Sequence, residues 1–276
     1  MLICKINLLV KKLKTSYKMN KMNKIKRIAE IRRLLNTGNP VVGSWMQIDS
    51  ASIAEIMGDA NYDWIAIDLE HGSFNDSNIQ NIFRALELNN TLPLARIISL
   101  NEENCKKALD NGACGLIIPK IENAIQAKRA VEFSSWPPKG RRGVGYSRAN
   151  LFGKRFELYK NESQKPLLVG MIESREGIDN LDEILKSKSF DAIMIGPYDL
   201  SASLGLTGKL GNRKVIDSIK KIKLICKNNR TPCGIHIVEP DPKALSKSIK
   251  DGHLFIAYAG DSMFLNAFTK NPYKKK

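Results

Sequence analysis

Histidine is scarce, with three in 276 residues, and none of the five cysteines (Cys4, Cys105, Cys114, Cys226, Cys233) forms a C-x-x-C pair. An odd, scattered set argues against a disulfide framework or a cysteine-ligated zinc site. Cys105 and Cys114 read instead as small packed apolar residues. Long hydrophobic runs are also missing, since no stretch approaches the roughly 18 apolar residues that cross a bilayer. A glycine-rich phosphate loop is absent after the first apolar run, where GSWMQIDS stands, which disfavours a dinucleotide-binding open sheet. Acids are missing at both ends: residues 1–27 hold nine Lys/Arg and residues 270–276 hold four Lys. Removing those thirteen from the 44 basic residues leaves 31 against 28 acids, so the net charge of +16 belongs to the tails. Basic tails touch nucleic acid or anionic lipid weakly, and a solvated extension is the simpler expectation.

The opening segment MLICKINLLVKKLKTSYKMNKMNK is a poor targeting signal. Its apolar stretch, Ile6–Val10, is short and broken by Asn7, no small-residue cleavage site follows, and Arg and Ser are few. Met19 and Met22 lie just before the first helical pattern, so a later translation start stays open. The expected location is cytoplasmic.

What the chain does contain is eight short apolar runs separated by amphipathic segments. The first four are VVGSWM (41–46), WIAID (64–68), LPLARI (92–97) and GLIIP (115–119). The others are PLLVGMIE (166–173), DAIMIG (191–196), TPCGIHIV (231–238) and LFIAYAG (254–260). Each run is continuous rather than alternating, as in parallel strands covered on both faces. Between them lie helical patterns such as SNIQNIFRALELNN and VIDSIKKIKLICKNN, several opening on Asp, Asn or Ser and closing on Gly or Asn. Eight strands alternating with helices predict a (β/α)₈ TIM barrel, with a doubly wound sheet as the alternative. We expect a basic, disordered extension over 1–24, one barrel domain over 25–269 and a basic tail over 270–276. The stretch 135–165, carrying PPKGRRGVGYSR, is too long for an ordinary connection and is expected to be functional.

In a barrel, residues at the strand ends converge on one rim, where barrel enzymes keep their chemistry. That rim would gather Trp45, then Asp68, Glu70 and His71 of DLEH, then Arg96, Glu173 and Asp199. Uncompensated buried acids are costly. A divalent cation would relieve Glu173 and Asp199, because two carboxylates plus water and substrate oxygens suit Mg²⁺ or Mn²⁺. Residue types alone leave other outcomes open: an ion pair of Glu173 with Arg96 or Arg175, Asp199 as a helix N-cap, and His71 as a plain rim histidine. His236 is a further candidate for the rim, and His253 reads as loop surface.

Seven motifs in order resemble the HpcH/HpaI aldolases. They are GSW (43–45), DLEH (68–71), PLAR (93–96), LDNGA (109–113), WPPKGRRG (136–143), IES (172–174) and GPYDLSASLG (196–205). The resemblance covers roughly 41–265 and implies a barrel of the phosphoenolpyruvate/pyruvate-domain type. It also implies a class II pyruvate aldolase needing Mg²⁺, Mn²⁺ or Co²⁺, and a homo-oligomer as large as a hexamer. By resemblance, Glu173 and Asp199 are metal ligands, His71 the general base and Arg96 the oxyanion partner. Asp68 would orient the imidazole, and Asp110 would reach a neighbouring subunit's histidine. Trp45, Met171, Tyr198 and Asp199 would bind substrate, with the backbone at 198–199 taking the pyruvate carboxylate. Met171 stands where a Gln is expected, and a thioether cannot donate that hydrogen bond.

The implied chemistry is cleavage or formation of a 4-hydroxy-2-oxo acid, giving pyruvate and an aldehyde. Trp45 and the long loop would help to close the site, with Arg142 and Arg148 receiving an anionic aldehyde group. Three other readings are kept: a Schiff base on Lys120, a citrate-lyase β-subunit-like lyase acting on a CoA thioester, and a non-catalytic barrel binding nucleic acid or a partner through its tails. Confinement of the charge to the termini and the lack of interleaved aromatics weigh against the last.

Overall fold

Strands without a polar face are stable only when both faces are covered. The computed structural model, which describes residues 22–273, meets that need with eight parallel strands closed in chain order into a barrel. The terminal basic segments 1–21 and 274–276, and the expectations placed on them, lie outside the described residues.

Helix α1 (Lys24–Asn36) leads into β1 (Val41–Met46), followed by α2 (Ala51–Asp59), β2 (Trp64–Asp68), α3 (Asp76–Leu88) and β3 (Leu92–Arg96). Next come α4 (Glu102–Asp110), β4 (Gly115–Ile118), α5 (Ala124–Ser134), a 3₁₀ turn (Arg148–Asn150), α6 (Phe156–Glu162) and β5 (Leu167–Ile172). The chain continues through α7 (Arg175–Asp179), α8 (Leu181–Lys186), β6 (Ala192–Ile195), α9 (Pro197–Ser203) and α10 (Arg213–Asn228). It ends with β7 (Cys233–Ile237), α11 (Pro242–Lys250), β8 (Phe255–Gly260) and α12 (Asp261–Phe268). Parallel pairing of β8 with β1 closes the ring. Every strand falls within one of the eight apolar runs.

Two apolar layers follow from the period-2 alternation. Outward residues such as Ile65, Ile67, Leu116 and Ile193 pack under the helices, and inward ones such as Trp64, Leu94, Val169, Met194 and Phe255 fill the barrel. Trp64 stacks on Phe255 at 4.6 Å, and it has room because residue 43 is glycine: a Cβ there would sit 2.0 Å from the indole. Helix α1 stoppers the N-terminal end of the barrel, adding Ile28, Ile31 and Leu35 to the interior cluster. At about 1.5–3 kcal/mol per buried side chain, this makes α1 part of the fold rather than an appendage. Residues 22–24, placed in the extension by the sequence reading, pack as part of the fold. Met22 is buried, Asn23 caps α1 by accepting from the Lys26 amide, and Lys24 meets Glu87 at 2.9 Å.

Two expectations are corrected. Arg142 is buried, donating to the Tyr159 hydroxyl at 2.9 Å, and Arg148 pairs with Glu87 at 3.0 Å near the N-terminal end. Both tie down the long connection, so neither waits at the mouth for an anionic aldehyde. His253 is also buried rather than on the loop surface. The turn at Gly252 (φ +83°) brings the chain back under the barrel, where the imidazole reaches the Cys233 thiol. Cys105 and Cys114 are buried, as read from the sequence. Among the described residues no helix is long and apolar enough to cross a membrane.

Candidate active site

Asp68 and Arg96 end adjacent strands in register, so their inward side chains meet. The guanidinium forks onto the carboxylate, Nε to Oδ1 at 2.8 Å and Nη2 to Oδ2 at 2.7 Å, and lies 4.7 Å above the Trp45 ring. Burial alone would raise the Asp68 carboxyl. The Arg96 bonds and charge, with donors from Gln47 and the His71 amide, more than offset it and hold the group below its ordinary range. Asp68 was expected to orient the His71 imidazole. Its bonds go instead to Arg96, Gln47 Nε2 and the amides of Glu70 and His71, so it fixes the arginine and the DLEH turn. Glu70 adds a second, longer contact to Arg96 at 3.4 Å, and His71 stands exposed at the rim.

Glu173 follows β5 and is only 3% exposed. Its Oε1 accepts the Lys120 amide at 2.8 Å, while the buried Oε2 has no hydrogen-bond partner. Burial foremost, with the negative charges of Asp199 and Glu70, outweighs the Lys120 amide and the Arg96 charge and raises this carboxyl to about 7. No ion pair with Arg96 or Arg175 forms among the described residues. Asp199 sits exposed in the first turn of α9, where Gly196 rather than Asp199 is the N-cap. A Cβ at residue 196 would stand 2.3 Å from Glu173 Oε2, so glycine keeps the space around that oxygen open. A buried carboxylate oxygen without a donor, a second carboxylate nearby and an open cradle fit a divalent cation. Among the described residues no three His, Cys, Asp or Glu side chains converge as a metal cluster, so water and substrate would complete the shell.

The remaining expected residues divide. Trp45 and Met171 are buried in the barrel interior, so Trp45 is a floor under Arg96 rather than a lid. Tyr198 is 47% exposed beside Asp199. Asp110 ends α4, next to the start of β4 and therefore at the opposite end of the barrel from His71. Lys120 is exposed, and its backbone (φ +51°) aims the amide at Glu173. Strained backbone of this kind gathers at functional sites.

Two contributors, Gln47 and Asp261, escaped the sequence reading, and His236 faces the rim as that reading allowed. Gln47 bridges Asp68 and Ser262, donating to the first at 3.1 Å and accepting from the second at 2.7 Å. Asp261 accepts the Gln47 and Ile48 amides at 2.9 Å each. His236 points into the mouth with its ring 5.8 Å from Trp45. Gln47 and Asp261 immediately follow strands one and eight, the position that already singled out DLEH, and that signal could have found them.

An eight-stranded parallel barrel with a buried arginine–aspartate pair and further carboxylates at its C-terminal mouth has the arrangement of a barrel enzyme's active site. The comparisons narrow this class. Residues 42–267 match the family model described as HpcH/HpaI aldolase/citrate lyase, and the chain belongs to that family. It is 34% identical over 239 residues to a hydroxypyruvate/pyruvate aldolase of Roseobacter denitrificans, covering 85% of this chain and 92% of that protein. To a 5-keto-4-deoxy-D-glucarate aldolase of Salmonella paratyphi A it is 32% identical, covering 84% and 90%. The solved structure of a HpcH/HpaI aldolase/citrate lyase family protein from Burkholderia cenocepacia superposes with a TM-score of 0.82 at 29% identity, over 87% of this chain and 96% of that one.

Proposed function

We propose that the protein is a class II aldolase that forms or cleaves a 4-hydroxy-2-oxo acid, exchanging a pyruvate-type 2-oxo acid with an aldehyde. The observation that carries the reading is the buried, partnerless Oε2 of Glu173 beside Gly196, with the charge of Asp199 close enough to be felt by that carboxyl. Glu173 and Asp199 would hold Mg²⁺, Mn²⁺ or Co²⁺, which when bound supplies Lewis-acid polarisation of the 2-oxo group.

The chain's own residues do the rest. Arg96, held in place by the Asp68 fork and the Trp45 ring, presents a fixed positive charge where the 2-oxo oxygen gains negative charge. His71 takes the proton from the C4 hydroxyl, and its exposed position at the rim suits a group meeting the aldehyde half. Neither Asp68 nor Asp110 of the same chain supports that imidazole. A neighbouring subunit's Asp110 would do so in a homo-oligomer. Tyr146 and Phe152, 74% and 60% exposed on the long connection, give such an assembly apolar surface to cover. The exposed Lys120 side chain supports the metal reading over the Schiff base, which calls for a desolvated amine.

The test is release of pyruvate, read by coupling to lactate dehydrogenase, from a panel of 4-hydroxy-2-oxo acids that includes 5-keto-4-deoxy-D-glucarate. Activity with Mg²⁺ or Mn²⁺ that EDTA abolishes is expected. Activity that survives EDTA returns attention to Lys120, and cleavage of a CoA thioester alone would favour the citrate-lyase reading.

A further inference from the structure

Cys226 on α10 and Cys233 at the start of β7 share the apolar layer between helix and strand, at the end of the barrel away from the mouth. The Leu254 amide donates to the Cys233 carbonyl at 2.7 Å, which sets the preceding residue, His253, beside that thiol. His253 is 5% exposed, and its Nδ1 has no hydrogen-bond partner among the described residues. The Cys233 thiol itself makes only a long contact, 3.9 Å to the Gly234 carbonyl. Access comes from a cavity of about 780 Å³ whose wall includes Cys233. That cavity lies between the end of α1 and α10, and Lys223, Lys227 and Arg230 outnumber Asp251 along it.

The four buried thiols separate on this ground. Burial pushes Cys105 up to about 11 and Cys114 up to about 12, which leaves both inert. At Cys233 the neighbouring Cys226 thiol foremost, then His253 and Lys223, overcome burial and hold the group below its ordinary range, while Cys226 is pushed up. The first proton of the pair therefore leaves Cys233, and the thiolate is the nucleophile. We propose that Cys233 and Cys226 are a peroxide-reactive pair, a modification site at the N-terminal end of the barrel that closes to a disulfide when hydrogen peroxide enters the cavity. The Cys233 thiolate attacks one peroxide oxygen, forming S–O and breaking O–O. The leaving hydroxide takes the proton that His253 received from the thiol and departs as water. The Cys226 sulfur then attacks the sulfenic sulfur, S–S forms, S–O breaks, and the second hydroxide leaves as water with the Cys226 proton. The two thiols give up two electrons, and one peroxide is reduced to two waters.

The experiment treats the full-length chain, with a chelator present, with hydrogen peroxide at neutral pH, denatures it in N-ethylmaleimide and maps the peptides by mass spectrometry without reduction. A linked Cys226–Cys233 peptide should appear with peroxide and vanish with dithiothreitol, while Cys105 and Cys114 remain alkylated. Cys226→Ala should instead hold Cys233 as a sulfenic acid that dimedone labels. His253→Gln should slow the loss of free Cys233 about tenfold or more. The wild-type map decides the pair without any variant. Full alkylation of Cys233 after peroxide overturns the site. A bond from Cys233 to Cys4, or a sulfenic acid that persists in the wild type, overturns the pairing with Cys226. An unchanged rate in His253→Gln overturns the role of the imidazole.

Discussion

Glu173 carries an acid into the barrel with one oxygen satisfied and the other bare, and its proton balance follows from that. Its ordinary value is 4.5 and burial lifts it to about 7. Between those values the folded chain holds a proton that the unfolded chain has released. The contribution of this group to stability is therefore complete below about 4.5 and lost as pH rises through 7, a swing of roughly 3 kcal/mol. In EDTA, differential scanning fluorimetry should show the wild type losing melting temperature against Glu173→Gln as pH rises from 5 to 8. Added Mn²⁺ should stabilise the wild type at pH 8 and leave the variant unmoved. Arg96 is the complementary case. Arg96→Ala would leave Asp68 buried with only Gln47 Nε2 and two amides as donors, at a cost of about 3–5 kcal/mol by urea denaturation. The double variant with Asp68→Ala should recover part of that loss, because no buried charge is then stranded. Neither double nor single variant should retain activity.

Strands and helices set the limits within which those residues act. The inward wall alternates bulk with space, and Gly43 opposite Trp64 leaves no room for a Cβ. Gly43→Ala should cost several kcal/mol in urea denaturation, because the Trp64–Phe255 stack has no slack to yield. All eight strands were legible in the sequence because each is a continuous apolar run bounded by turn residues, and the rim acids stood out as polar residues where such runs end. Less was legible where one residue type serves two purposes. Arg142 and Arg148 look like ligand-binding cations in a loop sequence, and only the packing shows them spent on Tyr159 and Glu87. His253 reads as surface because the positive φ of Gly252, which turns it inward, has no signature beyond the glycine itself. Asp68 sits close enough in sequence to orient His71. The lateral register of β2 with β3, which no local pattern encodes, gives it to Arg96 instead.

At the scale of the whole molecule, a single chain leaves His71 and Asp110 at opposite ends of one barrel, and the proposed aldolase would complete its site between subunits. His71→Ala and Asp110→Asn should each lose activity. Unfolded, mixed and refolded together, they should recover about a quarter of wild-type activity, since random assembly unites both intact residues at one site in four. No recovery would confine the site to one chain. The central claim, that Glu173 and Asp199 support enolate formation on a 2-oxo acid through a divalent cation, is tested most directly without choosing an aldehyde. Exchange of pyruvate methyl protons in D₂O should proceed with Mg²⁺ or Mn²⁺, stop with EDTA, and be absent in Glu173→Gln. Exchange that persists in EDTA or in Glu173→Gln would contradict the account.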